Sequence, residues 1–178
     1  MTKLVSLIFA CTLEGGIGCN NKIPWYIKDD LNKFKEITMQ TSDKIKKNAV
    51  IMGSKTYNSL PVKKLKDRIN IVITRWNDND DIFTSNDILK FTNINNALEY
   101  CNNSHEIDNV FIIGGSYLYN YFLENNNLVD KIYLSIIKDY YECDVFIHFD
   151  KIFTKFNLKK DKKYQNEKYI SYICYNKI

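Results

Sequence analysis

No stretch of this chain stays apolar long enough to cross a membrane. The longest nearly unbroken apolar run, Leu4 to Cys11, spans eight residues and is interrupted by Ser6, whereas a helical span needs roughly 20. Charge of one sign is also scarce. Charged residues fill 26% of positions but leave a net charge of only +4, which fits neither a disordered polyelectrolyte nor a histone-like DNA binder. No basic stripe interleaved with aromatics supports a nucleic-acid role. Met1-Thr2-Lys3 runs straight into a strand-like segment with no h-region or cleavage site, so secretion is not expected. Paired cysteine motifs are missing: Cys11, Cys19, Cys101, Cys143 and Cys174 are odd in number and scattered, without CxxC or CxxH. Zinc and a disulfide framework are both disfavoured, and a reducing, cytosol-like compartment is the simplest expectation. Neither His105 nor His148 has a nucleophile beside it, so Ser/His/Asp and Cys/His triads have no support.

The apolar content suffices for one substantial core, at 45% of 178 residues and a length slightly above that of a typical domain. Of six glycines, five fall in two places, at 15–18 and at 114–115. No internal repeat or Pro/Gly/Ser linker divides the chain, so a single domain over 1–178 is expected.

Residues 3–10, KLVSLIFA, are short, aliphatic and β-prone, and predict a buried strand. Ile27, Leu31, Phe34 and Ile37, at i, i+4, i+7 and i+10, predict a helix from about Ile27 to Met39. Asp29 and Asp30 lie in its first turn, where the helix dipole favours negative charge. AVIM (49–52), INIVIT (69–74) and NVFII (109–113) predict further strands. Helices are expected to start at Gly53-Ser54-Lys55-Thr56, to cover about 94–102, and to run from Ser116 to Leu123. Residues 77–90 read as a polar loop with one weak strand. KIYLSII (131–137), FTKFNLK (153–159) and KYISYICYN (168–176) predict strands joined without helices. The order implies an α/β fold: a mostly parallel central sheet with an antiparallel C-terminal hairpin edge and helices on both faces.

Two segments put small residues between a strand end and a helix start, VIMGSKT (50–56) and FIIGGSYLY (111–119). Backbone N–H groups at such a junction suit phosphate, and Lys55 adds a full charge to the first. Taken singly, Gly53 and Gly114-Gly115 can be no more than tight turns. A pair of them on one sheet is what a dinucleotide pyrophosphate, which needs several donors, would use. Neither is a Walker A or Rossmann fingerprint, and the 15–18 glycines precede a loop. Thr74 and Arg75 close INIVIT at the carboxyl edge, where open parallel sheets bind ligands. They either join Lys55 around a phosphate monoester or form a solvated strand end. Asp30 shares a helix face with Phe34. It is either a plain first-turn acid, a role Asp29 fills equally well, or a carboxylate on a partly apolar cleft with a raised pKa.

Five strings in order carry a resemblance: SLIFACTLEGGIGCNNKIPW (6–25), DDLNKFKEIT (29–38), AVIMGSKTYNSLP (49–61), LKDRINIVITR (65–75) and VFIIGGSYLYNYFL (110–123). Together they make the chain resemble dihydrofolate reductases along nearly its whole length. The resemblance implies a cytoplasmic oxidoreductase and antifolate target that uses NADPH to reduce 7,8-dihydrofolate to 5,6,7,8-tetrahydrofolate for one-carbon metabolism and thymidylate synthesis. Hydride would go to C6 and a proton to N5. No metal, nucleic acid or membrane is implied, and the chain would be a monomer unless fused to or associated with thymidylate synthase; its length and strand-like end suit the free form.

Carried over by position, Asp30 would be the carboxylate that hydrogen-bonds the pterin amide and 2-amino group and promotes protonation of N5. Ser135 would bond that acid in place of the family's usual threonine, and Trp25 would position a water, which completes the implied catalytic set. Ile8, Phe9, Leu31, Phe34, Leu60 and Ile113 would line the substrate pocket with Asp30 and Ser135. Arg68 would clamp the glutamate α-carboxylate, with Thr38 holding Arg68 or nearby waters. Ala10, Ile17 and Tyr119 would meet the nicotinamide, with Gly18 in the mobile 14–25 loop also on the cofactor. Lys55, Thr56, Thr74 and Arg75 would bind the pyrophosphate and the 2′-phosphate, with Gly53 and Ser54 also on the cofactor. Gly114 and Gly115, joined by a cis peptide, would bring backbone against the cofactor, and Ser116, Tyr117 and Leu118 would continue that turn.

The chain departs from the family pattern at several positions. Tyr57 stands where tryptophan is usual, and Thr92 where some members carry an arginine on the adenosine. Glu142-Cys143-Asp144 lacks the usual following proline, though Asp144 matches the acid that couples to the mobile loop. Two other readings compete: the related pyrimidine reductase of riboflavin synthesis, which Asp30, Phe34 and Arg68 argue against, and an inactive nucleotide-binding module, which would bind NADPH without consuming it.

Overall fold

The computed structural model describes residues 3–74, 87–164 and 166–177. Its first half contains β1 (Val5–Cys11), β2 (Gly16–Gly18), α1 (Lys28–Met39), β3 (Lys47–Gly53), α2 (Ser54–Ser59), β4 (Ile69–Ile73) and β5 (Ile88–Phe91). The second half contains α3 (Ile94–Asn103), β6 (Ile107–Ile112), α4 (Ser116–Glu124), β7 (Lys131–Ile137), β8 (Val145–Phe146), α5 (Asp150–Lys155), β9 (Phe156–Lys160) and β10 (Tyr169–Asn176).

Eight strands form one sheet in the order β5-β4-β3-β6-β1-β7-β10-β9. Every pair is parallel except those of β10, which runs antiparallel to both β7 and β9. The α/β class and the antiparallel C-terminal edge follow the sequence expectation. Two details differ. KIYLSII is antiparallel only on its β10 side and lies parallel to β1 on the other, in register Ala10 with Ser135. The three C-terminal strands are also not joined without helix, because α5 takes up the start of FTKFNLK and leaves only Phe156 onward as strand.

Strand side chains alternate between the two faces. Leu7, Phe9, Cys11, Ala49, Ile51, Val110 and Ile112 point to a core closed by α3, α4 and α5. Ile8, Val50, Met52, Phe111 and Ile113 point to a second core under Ile37 of α1 and Tyr57 of α2. Both faces are therefore covered, which is why these strands read as nearly continuous apolar runs. Tyr57 fills the position of the usual tryptophan as a packed core residue, with the Lys63 ammonium 5.3 Å from its ring centroid. Outside the main sheet, β2 and β8 make a short antiparallel ribbon, so part of the 14–25 loop is strand. Among the described residues no helix is long and apolar enough to cross a membrane, and no group of His, Cys, Asp or Glu side chains is placed to hold a metal ion.

Candidate active site

The side chains that α1 turns to the sheet are Asp30, Lys33, Phe34 and Ile37, spaced i, i+3, i+4 and i+7. Phe34 and Ile37 keep their places in the apolar stripe read from sequence, while Asp30 and Lys33 are the polar members of the face. Leu31, a member of that stripe, is 47% exposed at the rim, and Ile27 is the residue before the helix. The two first-turn acids separate sharply. Asp29 faces outward and accepts from Asn166 Nδ2 at 2.9 Å. Asp30 faces inward, where the Ser135 hydroxyl donates to its Oδ1 in a short hydrogen bond.

Ser135 sits at the middle of β7, between Ala10 on β1 and Ser171 on β10. Burial pushes the Asp30 carboxyl above the ordinary carboxylate range, while the Ser135 bond and the Lys33 cation pull it back down. Around this carboxylate, Ile8, Phe34, Leu60 and Ile113 gather in one apolar cluster. On its other side Trp25 is buried with Ile27, Ile137 and Tyr169, and its ring meets Tyr141 at 5.5 Å. Ala10 packs against that group. Phe9 does not join Ile8. Strand alternation turns its ring to the opposite face, where it lies 4.7 Å from the ring of Tyr119.

Arg68 is buried at one end of the same face. Its Nη1 donates to Thr38 Oγ1 at 2.9 Å and its Nε to the Lys66 carbonyl at 3.0 Å. Thr38 is itself anchored, donating to the Phe34 carbonyl at 2.7 Å. Among the described residues Arg68 forms no ion pair with a carboxylate. It borders a groove of ≈ 450 Å³ lined also by Lys47, Lys64, Lys66 and Ile69 and by the acids Asp67 and Asp87, the last paired with Lys64. A buried guanidinium with its remaining donors unused by protein carboxylates is suited to an incoming one.

The two glycine junctions meet across the sheet. The peptide between Gly114 and Gly115 is cis, and Gly53 N–H donates to the Gly114 carbonyl at 2.8 Å. A Cβ on Gly114 would lie 3.1 Å from Tyr119 Oη, and one on Gly115 would lie 3.2 Å from Thr56 Oγ1. Only glycine leaves backbone bare in this cradle. α2 and α4 both begin on these glycines, with no side chain capping either one, so first-turn N–H groups of two helices face the same space. Tyr119 Oη donates to the Ile8 carbonyl at 3.0 Å, which ties the cradle to β1. Lys55 is exposed, Ser54, Thr56 and Ser116 are half-buried, and Tyr117 is exposed. The Leu118 side chain lies in the α3–α4 core, so only its backbone can face a ligand.

Thr74 is buried at the end of β4 and its N–H donates to the Phe91 carbonyl at 2.9 Å. That bond brings the exposed Thr92 next to the same edge. Arg75 lies outside the described residues. Gly18 and Ile17 belong to the β2–β8 ribbon, and Asp144 grips the start of the adjoining loop through both its backbone and its side chain. The Asp144 N–H donates to the Gly18 carbonyl at 2.9 Å, and its carboxylate accepts from the Asn20 N–H at 2.8 Å. The acid therefore keeps a grip on the loop without the proline.

Sequence reasoning missed Lys33, which is only 2% exposed, with Nζ 2.8 Å from Ser135 Oγ. Its spacing from Asp30 and Ile37 was the available signal.

A family model described as dihydrofolate reductase matches residues 4–177. A dihydrofolate reductase of Ureaplasma parvum is 36% identical over 166 residues, covering 92% of this chain and 92% of that protein. One from Aedes albopictus is 35% identical over 164 residues, covering 89% of this chain and 86% of that protein. A bifunctional dihydrofolate reductase-thymidylate synthase of Paramecium tetraurelia is 34% identical over 170 residues, 96% of this chain but 33% of that protein. The chain thus spans about a third of the length of that bifunctional relative.

Proposed function

The chain belongs to the dihydrofolate reductase family, and from that premise we propose that it reduces 7,8-dihydrofolate to 5,6,7,8-tetrahydrofolate with NADPH, as a single domain over 1–178. The observation that carries the reading is Asp30. It is a partly buried carboxylate oriented by Ser135, on a face that also gathers Ile8, Phe34, Leu60 and Ile113 and ends at the buried Arg68. A flat ring system with an N–H-rich edge would meet the carboxylate, its apolar faces would meet the cluster, and a tail carboxylate would meet Arg68.

The glycine cradle fits the phosphates of a dinucleotide. Its bare backbone and uncapped helix starts supply several N–H donors at once, and Lys55, Thr56, Thr74 and Arg75 would hold the pyrophosphate and 2′-phosphate. Bound there, the reduced nicotinamide would supply the hydride for C6 of the pterin.

The chain's own groups do the rest. Asp30 holds the pterin amide and 2-amino group through accepted hydrogen bonds, fixing the ring and raising the proton affinity of N5. Trp25 and the clamped 14–25 loop restrict water to the path that delivers the proton. Ser135 keeps one carboxylate oxygen aimed, so that alignment is set before the ring arrives. A reducing, cytosol-like compartment belongs to the same reading, on the odd number and scatter of the five cysteines along the sequence.

The direct test is loss of absorbance at the nicotinamide band with dihydrofolate present and absent. Consumption only with dihydrofolate is expected. Binding of NADPH without consumption would favour an inactive nucleotide-binding module. For cofactor choice, Arg75→Ala is expected to lower kcat/KM with NADPH about tenfold, the worth of one charge-assisted bond to phosphate, and to leave NADH use nearly unchanged. Equal losses with both would remove Arg75 from the 2′-phosphate.

A further inference from the structure

A lysine is almost never fully buried unless it is paired, because its ammonium is a compact and strongly hydrated charge. Lys33 is 2% exposed and forms no ion pair with a carboxylate among the described residues. Its Nζ instead lies 2.8 Å from Ser135 Oγ, 3.5 Å from the Leu134 carbonyl and 6.0 Å from the centroid of the Tyr169 ring. Ser135 in turn donates to Asp30.

The chemistry of the three groups sets the direction of this chain. An ammonium donates only, and an ionised carboxylate accepts only. The Ser135 oxygen must therefore accept from Lys33, and its single proton must go to Asp30. We propose that Lys33 is a positioning residue for this reaction: through Ser135 it polarises the hydrogen bond to Asp30 and holds that carboxylate ionised and aimed into the pterin cleft. The assignment rests on the functional reading above only for what the aimed carboxylate then does.

Other titratable groups surround the pair. Tyr169 and Cys174 on β10, Tyr133 on β7, and Asp161 and Tyr164 beyond β9 face Lys33 or its neighbours. Asp29 is turned outward to Asn166, and Glu36 is bound to Lys163 on the surface. Asp161 favours the Lys33 cation without a hydrogen bond to it, so among the described residues Ser135 is the one bonded route between that cation and a carboxylate. Burial lowers the Lys33 ammonium to about 8, with Asp30 the main opposing influence. The lysine is therefore charged through neutral pH and loses its hold above it. Ser171, registered opposite Ser135, has a buried hydroxyl without a partner among the described residues. It leaves Lys33 as the group that donates to Ser135.

The test follows the carboxyl carbon of Asp30 by NMR in protein labelled with ¹³C at aspartate, with no substrate present. Lys33→Met keeps the stem and removes the charge. The Asp30 midpoint is expected to rise by about one pH unit or more, the usual effect of losing a close opposite charge. The rise should be less than half as large in a Ser135→Ala background. No rise, or an equal rise in both backgrounds, would overturn the relay. If Lys33→Met does not fold, Ser135→Ala decides alone: its Asp30 midpoint should itself move up, and an unmoved midpoint would overturn the proposal. In turnover, Lys33→Met should raise KM for dihydrofolate mainly on the acid side, whereas a merely structural lysine would lower activity evenly across pH. Absence of any turnover in the wild type would count against the functional reading and not against this one, since the titration needs no reaction.

Discussion

Asp30→Asn is expected to slow dihydrofolate reduction by about 10²- to 10⁴-fold at neutral pH, the span usual for a lost acid–base group. Asparagine matches the shape of aspartate and can still accept the Ser135 proton through its amide oxygen. It lacks the charge that raises the basicity of a ring bound across it, and its amide nitrogen would present donors to the donor edge of the pterin. The loss should therefore fall on the chemical step and persist at saturating substrate. Stability is expected to fall as well, because the substitution leaves the buried Lys33 ammonium without its counter-charge, and an uncompensated buried cation is strongly unfavourable. Single-turnover rates from pH 5 to 9, read beside a thermal melt, separate the two effects. A folded variant with unchanged turnover would remove Asp30 from the mechanism.

The same residue illustrates what could be read before the structure. That an acid from the first turn of α1 faces the cleft was a matter of choosing between neighbours, and spacing alone does not distinguish Asp29 from Asp30. The resemblance chose Asp30, and the partners differ accordingly: Asn166 on the surface for one, Ser135 in the sheet for the other. Strands β1, β3, β4 and β6 were legible because both of their faces are covered, which makes their composition strongly apolar. β2 and β8 were not, since pieces of three and two residues carry no period. α5 was hidden by the aromatic and β-branched residues of FTKF, whose propensity favours strand and which tertiary packing of Ile152 overrides. The insertion of β10 between β7 and β9 is a long-range pairing with no local trace. Lys33 was missed for a different reason: a lysine in an amphipathic helix normally belongs to the solvated face, and the Ser135 hydroxyl and Leu134 carbonyl of β7, with the nearby Asp30 charge, make its burial tolerable.

Arg68→Gln is expected to raise KM for dihydrofolate by about 10²-fold while leaving kcat nearly unchanged. The magnitude follows from a forked, charge-assisted pair worth about 1.5–3 kcal/mol, with a further penalty for the carboxylate left facing a buried neutral group. The split follows from position. A clamp on the tail grips the substrate equally in the ground state and in the transition state, so its loss weakens binding uniformly and spares the chemical step. Thr38 loses its donor from Nη1 but keeps its bond to the Phe34 carbonyl, so the α1 face that carries Asp30 should stay in place. The control is a dihydropterin without the glutamyl tail, for which the variant and the parent should have nearly the same kcat/KM. Matching losses on both substrates would mean that Arg68 acts through the fold of the 65–70 segment and not on a carboxylate. A full-length substrate that alone suffers would put the guanidinium at the tail, at the opposite end of the cleft from the bond between Ser135 and Asp30.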